Sequence, residues 1–206
     1  MTPTRVLIVD DHAILRMGLA SLLASKSEIE VAGDASDGPS GIRKALKLKP
    51  DVVIMDLMMP GMDGIEATKE LLAKAPESKI LILTTFGTSN GINDALEAGA
   101  MGAVMKNCDF SELADAIRAV ASGKRYVAAD VERILSADPP VAALSPRQTE
   151  ILQSIVRGLS NPEIAKQLGI SVDMVKEHVE SLFQKIGAAN RTEAVAIAFR
   201  KHLLKM

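Results

Sequence analysis

The 206-residue chain is 48% hydrophobic and 24% charged, the make-up of a globular protein of more than one domain, which excludes extended disorder. Aromatic residues are only 2% with no Trp, which disfavours base stacking as a mode of nucleic-acid binding, and the single cysteine, Cys108, excludes a disulfide framework or a multi-thiolate metal site and fits a reducing compartment. The net charge of −2 is uneven: residues 1–143 hold 15 Lys+Arg against 20 Asp+Glu, whereas residues 144–206 hold 9 against 6, so only the second part has the sign to meet a polyanion.

From the N-terminus, short β-rich apolar runs predict strands at Arg5–Val9, Glu30–Ala32, Val52–Met55, Lys79–Leu83 and Ala103–Met105. Apolar residues at helical spacing predict helices between them, at Ala13–Ser25, Gly38–Leu48, Gly64–Ala75, Ser89–Ala98 and Ser111–Ser122. Parallel neighbours need crossover connections, so this alternation predicts an α/β domain over residues 1–122 with a doubly wound, five-stranded parallel sheet. Residues 123–143, with Asp138-Pro139-Pro140, read as a linker in which Val131–Leu135 forms a helical turn.

Residues 144–206 read as a small all-α domain. Ser145-Pro146 and Gln148 supply an N-cap, a proline in the first turn and a capping box for a helix to Arg157; Ser160-Asn161-Pro162-Glu163 repeats the pattern. Gly169 ends the second helix, Ser171 caps the third, Gly187 closes it, and a fourth starts near Thr192. Four short helices, the middle pair joined by Gly169-Ile170-Ser171, match a helix-turn-helix arrangement. No stretch has the apolar length to cross a bilayer, and the run Val6–Val9 stops at Asp10-Asp11 rather than at a cleavage site, so the chain reads as cytoplasmic.

Working sites of parallel α/β sheets lie beyond the carboxyl ends of the strands. Asp10 and Asp11 follow the first strand and Asp56 the third, gathering carboxylates whose repulsion calls for a cation; oxygen ligands with room for water suit Mg²⁺. Thr84 and Lys106 close the fourth and fifth strands, where a hydroxyl and an ammonium can hold phosphoryl oxygens while a carboxylate acts as the nucleophile.

Asp10-Asp11, the run Asp56–Gly64, Leu83-Thr84 and Gly102–Lys106 together resemble the signatures of two-component receiver domains, of flavodoxin-like fold, over residues 4 to about 122. The resemblance implies that Asp56 is the phosphoacceptor, that Asp10, Asp11, Asp56 and the Met58 backbone carbonyl hold Mg²⁺, and that Thr84 and Lys106 sense the phosphoryl group. It also implies a partner histidine kinase. One departure is Ala103, where receivers often carry an aromatic residue three positions before the lysine; an aromatic swing is impossible here, and altered switching is expected. His12 reads as a solvated group, and Met55, Met58, Met59 and Met62 read as packing residues.

Leu144–Leu152, Gly158–Ala165, Leu168–Val179 and Ala189–Ala194 resemble the LuxR-type helix-turn-helix of NarL/FixJ-class regulators. In the recognition helix, Val172 to Ile186, the apolar residues Val175, Val179, Leu182 and Ile186 face the core. Asp173, Lys176, Glu177, Glu180, Ser181 and Gln184 then face outward, with Lys176 best matched to the family's DNA contact. Glu177 and Glu180 either accept from cytosine amino groups or stand as solvated charges at the groove margin. The helix N-termini at Ser160-Asn161 and Ser171, with Lys185 and Arg191, are expected to anchor phosphates. Double-stranded promoter DNA is the expected partner. A net charge of +3 on this domain favours a homodimer on two half-sites, with Ala194, Val195, Ala198 and Phe199 offering a pairing face.

The chain thus reads as a signalling and DNA-binding protein rather than an enzyme. Two alternatives are compatible with the sequence: a Mg²⁺-dependent phosphatase with an aspartyl nucleophile, and a constitutive DNA-binding protein whose receiver is only a dimerisation scaffold.

Overall fold

The computed structural model describes residues 2–85, 88–141, 144–201 and 203–204. The chain divides into two compact units, Met1–Asp138 and Pro139–Met206.

In the first unit the strands are β1 (Thr4–Val9), β2 (Ile29–Ala35), β3 (Val52–Asp56), β4 (Ile80–Thr84), β5 (Gly102–Met105) and β6 (Tyr126–Val127). The helices are α1 (Ala13–Ala24), α2 (Gly38–Leu48), α3 (Gly64–Lys74), α4 (Ser89–Glu97), α5 (Phe110–Ala121) and α6 (Ala129–Ala137). The strands form one sheet in the order β2-β1-β3-β4-β5-β6, every pairing parallel. Every residue of β3 and β4 is buried. That requires cover on both faces and explains why these strands are apolar without alternation. Helices α2, α3 and α4 pack in sequence, while α5 lies by the end of α1: the Lys26 ammonium sits 5.8 Å from the Phe110 ring centroid, and Arg118 pairs with Glu28 at 2.5 Å.

The structure corrects the five-stranded sheet to six strands. Strand β6 has only two residues, paired as Gly102↔Tyr126 and Ala103↔Val127, too few to leave a periodic signal. Gly102 makes the approach possible, since a Cβ there would lie 2.4 Å from the Tyr126 carbonyl oxygen. The expected linker is corrected with it: residues 123–138 belong to the first unit, and Ala128 and Val131 are buried in its core. The proline pair therefore begins the second unit rather than lying in the middle of a linker. Residues 142 and 143, at the end of the expected linker, lie outside the described residues, as do 202, 205 and 206 of the expected helical domain.

The second unit holds α7 (Pro146–Val156), α8 (Asn161–Leu168), α9 (Val172–Ile186) and α10 (Arg191–Arg200). Ser145 Oγ accepts from the Gln148 N–H at 3.2 Å and Gln148 Oε1 accepts from the Ser145 N–H at 3.0 Å, the reciprocal cap read from the sequence. Gly169 closes α8 at φ +66°, a left-handed conformation, and Ser171 Oγ accepts from the Met174 N–H at 3.2 Å to start α9. Ile151, Leu152, Ile155, Ile164, Val175, Leu182 and Ile197 form the core. Ala194 and Ala198 are buried within it, 0% and 4% exposed, which removes them from the expected pairing face; Phe199 remains 48% exposed.

Candidate functional sites: an acidic pocket and a helix-turn-helix

The parallel register brings the ends of β1, β3, β4 and β5 to one edge of the sheet. Asp10, just past β1, Asp56, the last residue of β3, and Thr84, the last of β4, are all at least 98% buried. Lys106 follows β5 and reaches between the first two, its Nζ 2.6 Å from Asp10 Oδ2 and 2.8 Å from Asp56 Oδ2. The other carboxylate oxygens accept backbone donors: Asp10 Oδ1 from the His12 N–H at 2.7 Å, and Asp56 Oδ1 from the Met58 N–H at 3.3 Å. Thr84 Oγ1 is buried without a hydrogen-bond partner among the described residues.

One ammonium between two buried carboxylates leaves a net negative pocket, and Asp11 stands beside it. Burial pushes the Asp56 carboxyl above its ordinary range, although the hydrogen bond and charge of Lys106 pull the other way. For Lys106, burial opposes the charge, but the adjoining Asp10 and Asp56 carboxylates outweigh it and hold the ammonium above its ordinary value. Ligand atoms of Asp10, Asp11, Asp56 and also His12 lie within 4.8 Å of one another, a donor set able to hold a divalent cation that would offset the excess negative charge.

Three details of the pocket escape the sequence. Arg16, an ordinary helix arginine by pattern, donates to the Asp10 carbonyl at 2.7 Å and to Asp34 Oδ2 at 3.0 Å, bracing the end of β1. Gly64 is required because a Cβ there would lie 2.2 Å from the Asp56 carbonyl oxygen. His12 is solvated as expected, with its side chain 68% exposed, but its ring also pairs with Asp11. Among the methionines, Met55, Met59 and Met62 pack in the core, whereas Met58 is 51% exposed and corrects the packing expectation.

On the second unit, α9 buries Val175, Leu182 and Ile186 and half-buries Val179. Asp173, Lys176, Glu177, Glu180, Ser181 and Gln184 are exposed, so this face carries one positive against three negative side chains. Lys176 pairs with Asp173 at 2.9 Å, an exposed pair that binding can displace at little cost.

Of the remaining expected DNA contacts, Ser160, Lys185 and Arg191 are engaged within the domain. Glu163, in the first turn of α8, accepts from both the N–H and the hydroxyl of Ser160, at 2.7 and 2.6 Å, placing a carboxylate at the N-terminus where phosphate was expected near Ser160 and the half-buried Asn161. Arg191 donates to the Leu159 carbonyl and, at 3.5 Å, to that of Ile155, clamping α10 to the α7–α8 turn. Lys185 donates to Gln148 Oε1 at 3.3 Å, and Gln148 Nε2 donates to Ser181 Oγ at 3.4 Å. The sequence marks Gln148 only as part of a cap, whereas it also ties α7 to α9.

These two sites, a charged pocket at the carboxyl edge of a parallel sheet and a capped helix-turn-helix, have counterparts in known proteins. Residues 6–118 match the model of the response regulator receiver domain, and residues 142–198 that of the bacterial regulatory proteins, luxR family. The chain belongs to the two-component response regulators that join these modules, the NarL/FixJ class. It is 41% identical over 208 residues to the transcriptional regulatory protein LiaR of Bacillus subtilis (strain 168), covering 97% of this chain and 99% of that protein. The response regulator protein VraR of Staphylococcus aureus is 37% identical over 206 residues, covering 98% and 99%. Among solved structures, the response regulator ChrA of a heme-sensing two-component system matches with TM-score 0.60 at 41% identity, covering 99% of this chain and all of that one. An RcsB–DNA complex matches with TM-score 0.71 at 28% identity, covering 97% and 99%.

Proposed function

We propose that this chain is a phosphorylation-controlled transcription factor of the cytoplasm, in which a histidine kinase passes a phosphoryl group to Asp56 and thereby alters dimerisation and binding to promoter DNA. The observation that carries the reading is the buried Asp56–Lys106–Asp10 constellation on a receiver sheet, in one chain with a LuxR-type helix-turn-helix.

In the transfer, a carboxylate oxygen of Asp56 attacks phosphorus, the donor's bond to phosphorus breaks, and an acyl phosphate forms. Asp10, Asp11, Asp56 and the Met58 carbonyl would hold Mg²⁺, which neutralises charge on the transferring group when bound. Lys106 supplies an ammonium at the Asp56 carboxylate, and the unpartnered Thr84 hydroxyl is available to a phosphoryl oxygen. Taking up that oxygen draws on the end of β4. With Ala103 in place of an aromatic ring, no ring follows the threonine.

The DNA contacts fall into two groups. Lys176, Glu177 and Glu180 face outward to read base edges, and Ser171 with the start of α9 offers backbone amides to phosphate. Ser160, Lys185 and Arg191 chiefly fix the shape of the domain, whereas Asn161 at the start of α8 is left as a phosphate contact. A face with so little positive charge binds weakly alone, which favours a homodimer.

The test is to treat wild type and Asp56→Asn with Mg²⁺ and a small phosphodonor, follow intact mass, and sequence the DNA fragments each captures. Wild type should gain one phosphoryl group and selective DNA binding, and the variant neither. Equal binding by both would make the receiver a scaffold.

A further inference from the structure

The pocket contains a nitrogen ligand to which no role has been given. His12 Nδ1 lies 2.8 Å from Asp11 Oδ1 and 3.4 Å from Asp10 Oδ1, and it belongs to the group whose ligand atoms all fall within 4.8 Å. Opposite ligands of a six-coordinate ion with bonds near 2.1 Å stand about 4.2 Å apart, close to the span over which these four residues gather their ligand atoms.

Among the described residues the imidazole is held only by Asp11 and Asp10, the carboxylates that would themselves hold the cation. His12 is the N-cap residue of α1, but its side chain makes no capping hydrogen bond, and at 68% exposure it packs little. Lys106 engages the Oδ2 atoms of Asp10 and Asp56, while the ring lies against the Oδ1 atoms of Asp10 and Asp11. The imidazole therefore faces the side of the carboxylates that the ammonium leaves open.

We propose that His12 is a ligand for a nitrogen-accepting divalent ion, Co²⁺ or Zn²⁺, which competes with Mg²⁺ for the acidic pocket. The proposal rests on the reading of that pocket as a divalent-cation site. Carboxylates and water alone suit Mg²⁺, whereas an added imidazole favours later first-row ions, whose affinities for nitrogen donors are higher. Both ions would draw on Asp11 and Asp56, so occupancy by one excludes the other.

The experiment titrates Co²⁺ into the full-length protein, reading its visible absorption, with Mg²⁺ as competitor, for wild type, His12→Ala and Asp56→Asn. A parallel measurement follows the ring-nitrogen resonances of His12 by NMR as Zn²⁺ is added. In His12→Ala the ratio of Co²⁺ to Mg²⁺ affinity should fall by about tenfold or more, the scale on which altered ligand environments change metal affinity. In wild type the His12 ring resonances should shift on Zn²⁺ addition. Metal-free melting of the variant checks its fold. An unchanged affinity ratio, with ring resonances that do not respond to Zn²⁺, would overturn the proposal while leaving the Mg²⁺ site intact. Failure of wild type to bind either ion, or binding indifferent to Asp56→Asn, would overturn the cation-site reading and this proposal with it.

Discussion

Ser89, the first residue of α4, donates a hydrogen bond of 3.3 Å to Asp138 Oδ2, joining the helix that follows the β4–α4 loop to the last residue of the first unit. Ser89 is 1% exposed, and α4 packs on α6, whose C-cap is Asp138. A displacement of α4 would therefore reach the point where the chain leaves the first unit. Ser89→Ala should leave phosphorylation of Asp56 intact and lower the stability of the unit by about 1 kcal/mol, the usual worth of one hydrogen bond. It should also narrow the difference in DNA affinity between phosphorylated and unphosphorylated protein by a factor of about five. Binding isotherms on both forms check this, and an undiminished difference would show that this connection is not used.

The charge balance of the pocket makes a second prediction. Lys106 compensates two buried carboxylates, and removing one partner of a buried pair leaves an uncompensated charge. Lys106→Met should destabilise the metal-free protein by about 3 kcal/mol, with Mg²⁺ restoring part of the loss. Asp56→Asn, which removes a carboxylate whose charged form burial disfavours, should be neutral to stabilising without metal and should lose the rise in Tm that Mg²⁺ gives wild type. Thermal melts with Mg²⁺ or with chelator check both.

Cys108 is half-buried, and that burial, with Glu112 nearby, pushes its thiol up to about 11 from 9.0. Burial and a neighbouring carboxylate both disfavour the thiolate, which is the form that reacts. Near neutral pH its alkylation should be about a hundredfold slower than that of a thiol at the reference value, and the rate should keep rising with pH until about 11. Mass-resolved labelling across pH measures this. A rate that levels off near pH 9 would show an unshifted thiol.

How far these features can be read in sequence depends on how many residues carry each signal. The five long strands, the capped helices of the second unit and the burial of Val175, Leu182 and Ile186 rest on periodic runs or cap pairs, and such runs survive in the fold. Residues at strand ends converge because parallel register leaves them no alternative, which is how Asp10, Asp56, Thr84 and Lys106 could be brought together in advance. Strand β6 could not be seen, since two residues have no period and its support is the missing side chain of Gly102. Nor could the roles of Arg16, Gln148 and Arg191, whose partners lie between 6 and 37 positions away. Long polar side chains give no sign in the sequence of which carbonyl or carboxylate they will meet.

Arg191 and Lys176 are both basic residues of the DNA-binding unit, and their surroundings assign them opposite behaviours. Arg191 is half-buried and donates to the carbonyls of Leu159 and Ile155, which lie at the end of α7 and in the turn after it. Truncating it removes the side-chain donor to the Leu159 carbonyl, while that of Ile155 keeps the Gly158 N–H at 3.0 Å, so Arg191→Ala should lower the stability of the second unit by about 2 kcal/mol, in the range for lost hydrogen bonds to a charged donor. It should weaken DNA binding mainly through the unfolded fraction. Lys176 is 58% exposed on its side chain, and its partner Asp173 is 85% exposed, so Lys176→Ala should leave Tm nearly unchanged. If Lys176 meets a phosphate, its loss should reduce the slope of log affinity against log salt by about one; if it meets a guanine edge, the slope should hold and base preference relax at one position. Salt-dependent binding and melting of the two variants, measured together, separate these outcomes. An Arg191→Ala protein that melts like wild type yet loses the salt-dependent part of its affinity would make Arg191 a phosphate contact rather than a clamp.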